Sequence, residues 1–247
     1  MKVLWTVIAA FICGVSLMGA SSLKAYGQSS SSVSVLELFT SEGCSSCPPA
    51  DKALSAFDQD NRIIALSCHV TYWDYLSPDQ LSRQFCTDRQ LHYSVKGGRK
   101  RRVFTPELIV NGEQSFVGSS AREIKAALKN PRVQTKGVGV EKQDDQLNIS
   151  LPVMADLSEG SIVTLITYGQ DLENKVLRGE NRGRTVRYTN PILSVEYLSD
   201  KWRGEAQNFA VRLSGKSYVH PVKGYVVLVH KGASHVGAIF AAGRLEL

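Results

Sequence analysis

Two cysteines two residues apart, Cys44-Ser45-Ser46-Cys47, followed by Pro48-Pro49, carry the clearest chemistry in this 247-residue chain. Such a pair either closes a readily exchanged disulfide or holds a soft metal. If the pair opens a helix, the unpaired N–H groups and the helix dipole favour an anion there. A thiolate so placed drops from a pKa of about 8.5 into the ~3.5–7.5 range. Cys44, the outer sulfur, is then the attacking nucleophile, and Cys47, further in, resolves the mixed disulfide. Pro48 and Pro49 are compatible with this placement, because first-turn N–H groups lack intrahelical partners in any case.

The surrounding sequence predicts the elements that would hold this pair. Residues 33–39 read as a strand and 50–57 as the body of a helix, so the cysteines lie at a strand-to-helix turn. Residues 62–70 are short, apolar and bounded by polar residues, which predicts a buried strand. An aromatic turn follows at 71–75, and Ser77-Pro78 opens a helix expected over 79–93. Asn111-Gly112 between the apolar runs 103–110 and 114–118 is a strong hairpin signal. Ser120-Ala121-Arg122-Glu123 has the spacing of a capping box for a third helix.

That order is strand, helix, strand, helix, strand, strand, helix. It predicts an α/β thioredoxin-like domain over residues 33–130, with a central mixed sheet and flanking helices. Beyond residue 131 the pattern changes: Leu147, Ile149 and Leu151 alternate with polar residues, and 161–168, 208–213, 225–230 and 237–247 look like strands. Residues 137–247 are therefore expected to form a β-rich, sandwich-like second domain.

Several residues fall where this arrangement would place a site. Thr105-Pro106 precedes the hairpin, the position of a cis-proline facing the dithiol in thioredoxin-like proteins; the backbone of Thr105 could then pair with a substrate strand. Glu37, seven residues before Cys44, is either a proton carrier for the resolving cysteine or a strand residue held in a salt bridge. His69, Trp73 and Asp74 leave the carboxyl end of the second strand, where sites form in open α/β sheets. His69 could serve as a base, a copper ligand or a satisfied structural residue. The aromatics fit a peptide-binding rim or simple core packing. Cys68 and Cys86 form a possible structural disulfide, since pairing of Cys44 with Cys47 leaves them together. The five basic residues in 96–102 suit a solvated loop or the steering of anionic partners.

The amino terminus points to a compartment. After Met1-Lys2 there is no charge until Lys24, and the apolar stretch 3–20 ends in small residues. This is the layout of a secretory signal peptide over 1–27, with Ala20, Ser22 and Ala25 as candidate last residues. An uncleaved anchor is the alternative, and a membrane is expected as a partner only in that case. Residues 28–32 read as a serine-rich linker. The formal charge of +6 becomes +4 once 1–27 and its two lysines are removed, which gives no reason to expect nucleic acid. Cys13 leaves with that segment, and four cysteines remain in a chain whose export to the periplasm or medium would let disulfides persist.

Four strings carry a family resemblance: LELFTSEGCSSCPPAD (36–51), HVTYWDYL (69–76), TPELIVNG (105–112) and GENRGRTVRYTNPI (179–192). They resemble the exported bacterial family known as domain of unknown function 1223, whose first part is placed by resemblance in the thioredoxin-like superfamily. The resemblance implies a site at Cys44, Cys47 and Pro106. It departs from thioredoxins in the dipeptide Ser45-Ser46 and in a longer stretch between Cys47 and Pro106, which could cover the site.

The leading expectation is an exported thiol–disulfide oxidoreductase acting on protein thiols or disulfides, with a redox partner and no cofactor or resident metal. Cys44 attacks, Cys47 resolves, and Thr105 and Pro106 hold the substrate strand. The alternatives are a non-catalytic binding module with a structural disulfide, and a copper carrier using Cys44, Cys47 and His69.

Overall fold

A computed structural model describes residues 32–129, 133–134, 138–155, 157, 160–232 and 234–247. The expected signal segment, Cys13 and nearly all of the serine-rich linker lie outside the described residues. In chain order the elements are β1 (Ser32–Thr40), α1 (Pro48–Phe57), β2 (Ile63–His69), α2 (Gln84–Lys96), β3 (Glu107–Val110), β4 (Gln114–Val117) and α3 (Ala121–Leu128). There follow β5 (Val133–Gln134), β6 (Gly139–Gln143), β7 (Gln146–Leu151), β8 (Ser161–Gly169), β9 (Leu172–Lys175) and β10 (Thr185–Tyr188). The last four are β11 (Ile192–Trp202), β12 (Gln207–Arg212), β13 (Val222–Lys231) and β14 (Ile239–Glu246). No helix among the described residues is long and apolar enough to cross a membrane.

The expected fold class is corrected. An α/β thioredoxin-like domain with its own central sheet, followed by a separate sandwich, is not what forms. The molecule is mostly β, with 43% strand, 15% helix and three helices among the described residues. Nine strands share one sheet, ordered β11-β8-β13-β14-β5-β1-β3-β4 with β2 beside β1, while β6, β7 and β12 form a second sheet and β9 with β10 a third. The joining element is β5, which pairs antiparallel with the start of β1 and parallel with β14. Periodicity shows which residues are strands but not where each open edge goes, and the edge of β1 is taken up by strands from far along the chain.

Packing follows the same plan. Alternate side chains of β1 point to opposite faces. Leu36 and Leu38 meet Ala50 and Leu54 of α1, Ala65 of β2 and Ile124 of α3 in one cluster. Val33, Val35 and Phe39 join Ile64, Leu66 and Cys68 of β2, Cys86 of α2, and Ile166, Val226 and Leu228 of the later strands in another. The opposite faces of β8 and β13, through Val163, Leu165, Val227 and Val229, close over Leu147, Ile149 and Leu151 of β7.

Local expectations fare unevenly. The hairpin turns at Asn111 and Gly112, both in the left-handed region with φ of 52° and 72°. The second helix begins at Gln84, not near 79. Asp79 draws residues 79–83 into a turn by accepting the N–H groups of Glu42 and Leu81. Ser120 precedes α3 but makes no side-chain cap.

Candidate functional site

Cys47 is the residue before the first helical position of α1, with Pro48 and Pro49 inside the first turn. The Ala50 and Asp51 N–H groups donate back to the Cys47 carbonyl at 2.8 and 3.1 Å, which starts the helix at that sulfur. Cys44 and Cys47 are joined as a disulfide, with Cα atoms 5.4 Å apart. Cys44 is the outer member at 3% exposure and Cys47 is fully buried, while Ser45 and Ser46 between them are exposed.

The loop entering the pair is closed by an aromatic neighbour. A Cβ on Gly43 would stand 2.6 Å from the Trp73 carbonyl oxygen, so only glycine admits that approach. Trp73 also donates its Nε1–H to Thr105 Oγ1 at 2.8 Å, tying the aromatic turn to the Thr105-Pro106 peptide, which is cis. Ser46 Oγ lies 3.5 Å from Cys44 Sγ and donates to the Thr105 carbonyl at 3.4 Å. Pro106, Ala50 and Leu38 converge on Gly118, where a Cβ would meet all three within 3.3 Å. Cys44, Thr105, Pro106 and Trp73 are thus brought together. Asp74, next to Trp73, accepts the Ser82 hydroxyl at 2.6 Å, and burial pushes its carboxyl above the usual range.

Glu37 is not brought to the dithiol. It lies on the face of β1 opposite α1 and accepts Arg89 Nε and Nη2 at 2.7 and 2.9 Å and the Tyr93 hydroxyl at 3.0 Å. Burial pushes its carboxyl up, but the Arg89 guanidinium outweighs that and holds it below its ordinary value. His69 is buried, edge-on to Tyr188 at 4.5 Å, with Nδ1 2.7 Å from Asp79 Oδ2. Burial pulls its pKa down, and Asp79 more than reverses this, holding it above 6.5. The Cys68–Cys86 disulfide is wholly buried and fastens β2 to α2. In the basic loop, Arg99 is paired with the buried Glu107 at 2.5 Å. No group of three or more His, Cys, Asp or Glu side chains is arranged to hold a metal among the described residues.

The sequence reading missed Asn181. Its side chain, 1% exposed, donates to the carbonyls of both Glu42 (2.9 Å) and Cys44 (2.8 Å) across about 140 residues of chain. Asn174, on β9, donates to the Glu42 carboxylate. The glycine- and charge-rich string at 179–184 is therefore a cover for the dithiol turn. Its composition signalled a tight turn, but nothing in it signalled what the turn would touch.

The model of the family described as "Protein of unknown function (DUF1223)" matches residues 35–230, from β1 to β13. The chain belongs to that family. All of the site residues above fall inside the matched span. Among solved structures, a protein from Agrobacterium tumefaciens, determined by X-ray crystallography, is similar at 27% identity with a TM-score of 0.71, covering 87% of this chain and 95% of that one. HBP35 of Porphyromonas gingivalis shares the fold at 18% identity and a TM-score of 0.57, covering 89% and 76%. No curated protein matches the chain. The family description therefore names no activity, and the chemistry of this DUF1223 member has to be argued from its side chains.

Proposed function

We propose that this protein is an exported thiol–disulfide exchange protein in which Cys44 is the attacking sulfur and Cys47 the resolving one. The observation that carries the reading is the contrast between the two disulfides. Cys68–Cys86 lies at zero exposure inside the core, joining a strand to a helix, as a structural link would. Cys44–Cys47 opens α1, with its outer sulfur next to two exposed serines, of which Ser46 bridges toward the Thr105 carbonyl. A thiolate on Cys44 is stabilised by the α1 dipole. The Thr105 backbone offers an edge for an extended substrate segment. Export is supported by the pattern of residues 1–27, and export is the setting in which such a disulfide persists.

A substrate thiolate attacks Cys44 Sγ and breaks the Cys44–Cys47 bond, releasing Cys47 as a thiolate. A second substrate thiolate then attacks the substrate sulfur of the mixed disulfide. The substrate leaves oxidised and the protein holds a dithiol; the reverse sequence reduces a substrate. In the reducing direction the Cys44 thiolate attacks a substrate disulfide and Cys47 then displaces the substrate sulfur from the adduct, so with Cys47→Ala that displacement is lost and mixed disulfides on Cys44 are expected to accumulate in the exported fraction. Absence of such adducts, together with no oxidation or reduction of a model disulfide, would overturn the reading.

A second reading, a non-catalytic module with a structural Cys44–Cys47 bond, is favoured by the low exposure of Cys44 and the grip of Asn181 on its carbonyl. A reduction potential below about −300 mV would select it.

A further inference from the structure

We infer that Asp51 is the proton donor and acceptor for the Cys47 sulfur. The inference rests on the exchange reading above and names the group that makes it workable. Cys47 is fully buried, so when its sulfur leaves the disulfide as a thiolate the proton it takes must come from a neighbouring side chain rather than from bulk water. Asp51 is four residues along, its N–H bonded to the Cys47 carbonyl at 3.1 Å. Residues so spaced share one helix face, and side chains on a helix lean toward its amino terminus. The Asp51 carboxyl, 2% exposed, therefore leans back toward Cys47 on the buried side of α1.

The surroundings are polar and incomplete. Alternation along β1 and β2 puts Thr40 and His69 on the same face as Leu36, Leu38 and Ala65, which pack on α1. Both Asp51 oxygens, Thr40 Oγ1 and His69 Nε2 lack a hydrogen-bond partner. A buried carboxylate left without partners is costly, which favours the protonated form. The charged and titratable groups facing it are His69 from β2, Asp79 from the turn after β2, Glu42 from the loop before α1, and Tyr188 from β10. Burial pushes Asp51 up to about 7 against the opposing pull of His69, with Thr40 beside the carboxyl but closing no bond to it. Both protonation states are then available near neutral pH, as a proton carrier needs. Glu37 cannot serve, being on the far face and ion-paired with Arg89.

The step balances as follows. The incoming thiolate forms a bond to Cys44 Sγ, and the electron pair of the Cys44–Cys47 bond goes to Cys47 Sγ. The Asp51 carboxyl proton moves to that sulfur, leaving a carboxylate. In the reverse step the carboxylate takes the Cys47 thiol proton as the sulfur re-forms the disulfide and the other thiolate departs.

The test uses dithiothreitol as the attacking thiol on the oxidised protein between pH 5 and 9, with rates corrected for the thiolate fraction of the reductant. In the wild type the corrected rate is expected to fall through an inflection near 7 as Asp51 loses its proton. In Asp51→Asn the inflection is expected to vanish and the rate below pH 7 to drop roughly tenfold or more. Carboxyl carbon NMR of the oxidised wild type is expected to show one aspartate titrating near 7, and this readout needs no variant to fold. An unchanged rate profile in Asp51→Asn, or no aspartate titrating near 7, overturns the inference. Mixed disulfides with proteins alongside an unchanged profile would leave the exchange reading standing and remove Asp51. The inflection without any protein adduct would support Asp51 and remove protein exchange.

Discussion

At the scale of single residues, the decisive choices are where carboxylates sit relative to the pleat of β1. Glu37 and Asp51 are both buried acids within seven residues of the dithiol, yet one is paired and the other is not. Truncating the partner of a buried charge leaves that charge uncompensated, so Arg89→Met is expected to cost about 3–5 kcal/mol in urea unfolding at neutral pH. Because the folded pKa of Glu37 lies below its usual 4.5, its contribution to stability is fully present above that value and is lost as pH falls through the folded one. The acid limb of the stability profile should therefore flatten in Glu37→Gln. Cys44, Cys47 and the neighbours Thr105, Pro106 and Trp73 were legible from spacing and chain order. Asp51 was not singled out, although an acid beside Ala50 and Leu54 on the apolar side of a helix was visible in the sequence.

At the scale of elements, β1, α1, β2 and the β3–β4 hairpin lie close to where apolar period and turn chemistry place them. The start of α2 does not, because Asp79 supplies side-chain acceptors that hold the chain in a turn. Such competition depends on a distant partner, here Glu42 and His69, and is invisible to a local pattern. The loop at 179–184 works in the same long-range way. Asn181 makes two hydrogen bonds to the backbone of the dithiol turn, each contributing roughly 1 kcal/mol. Asn181→Ala should loosen the turn, and reduction of Cys44–Cys47 by a small dithiol should become several-fold faster, alongside a loss of about 2 kcal/mol in global unfolding. Equal rates in wild type and variant would show that the loop does not restrain the turn.

For the whole molecule, the sequence supplied most of the strands but not their assembly. Leu147, Ile149 and Leu151 face inward as their alternation requires. That β5 would hand the edge of β1 to β14 could not be seen, since two residues with a weak pattern do the joining. The consequence is a core in which β1, β2 and α2 pack directly on β8 and β13, with Cys68 and Cys86 among its buried members. That bond closes a loop of 18 residues, so Cys68→Ala with Cys86→Ala is expected to cost about 3 kcal/mol of stability while leaving exchange at Cys44–Cys47 intact. Loss of exchange in a folded double variant would mean the wrong pair had been assigned the chemistry. The central claim rests on the other bond, and its reduction potential is the most direct test, measured by equilibration with dithiol and glutathione buffers and quantified on the Cys44–Cys47 peptide. An exchange protein should fall between about −120 and −270 mV. A value below about −300 mV would contradict the account and make Cys44–Cys47 a structural link.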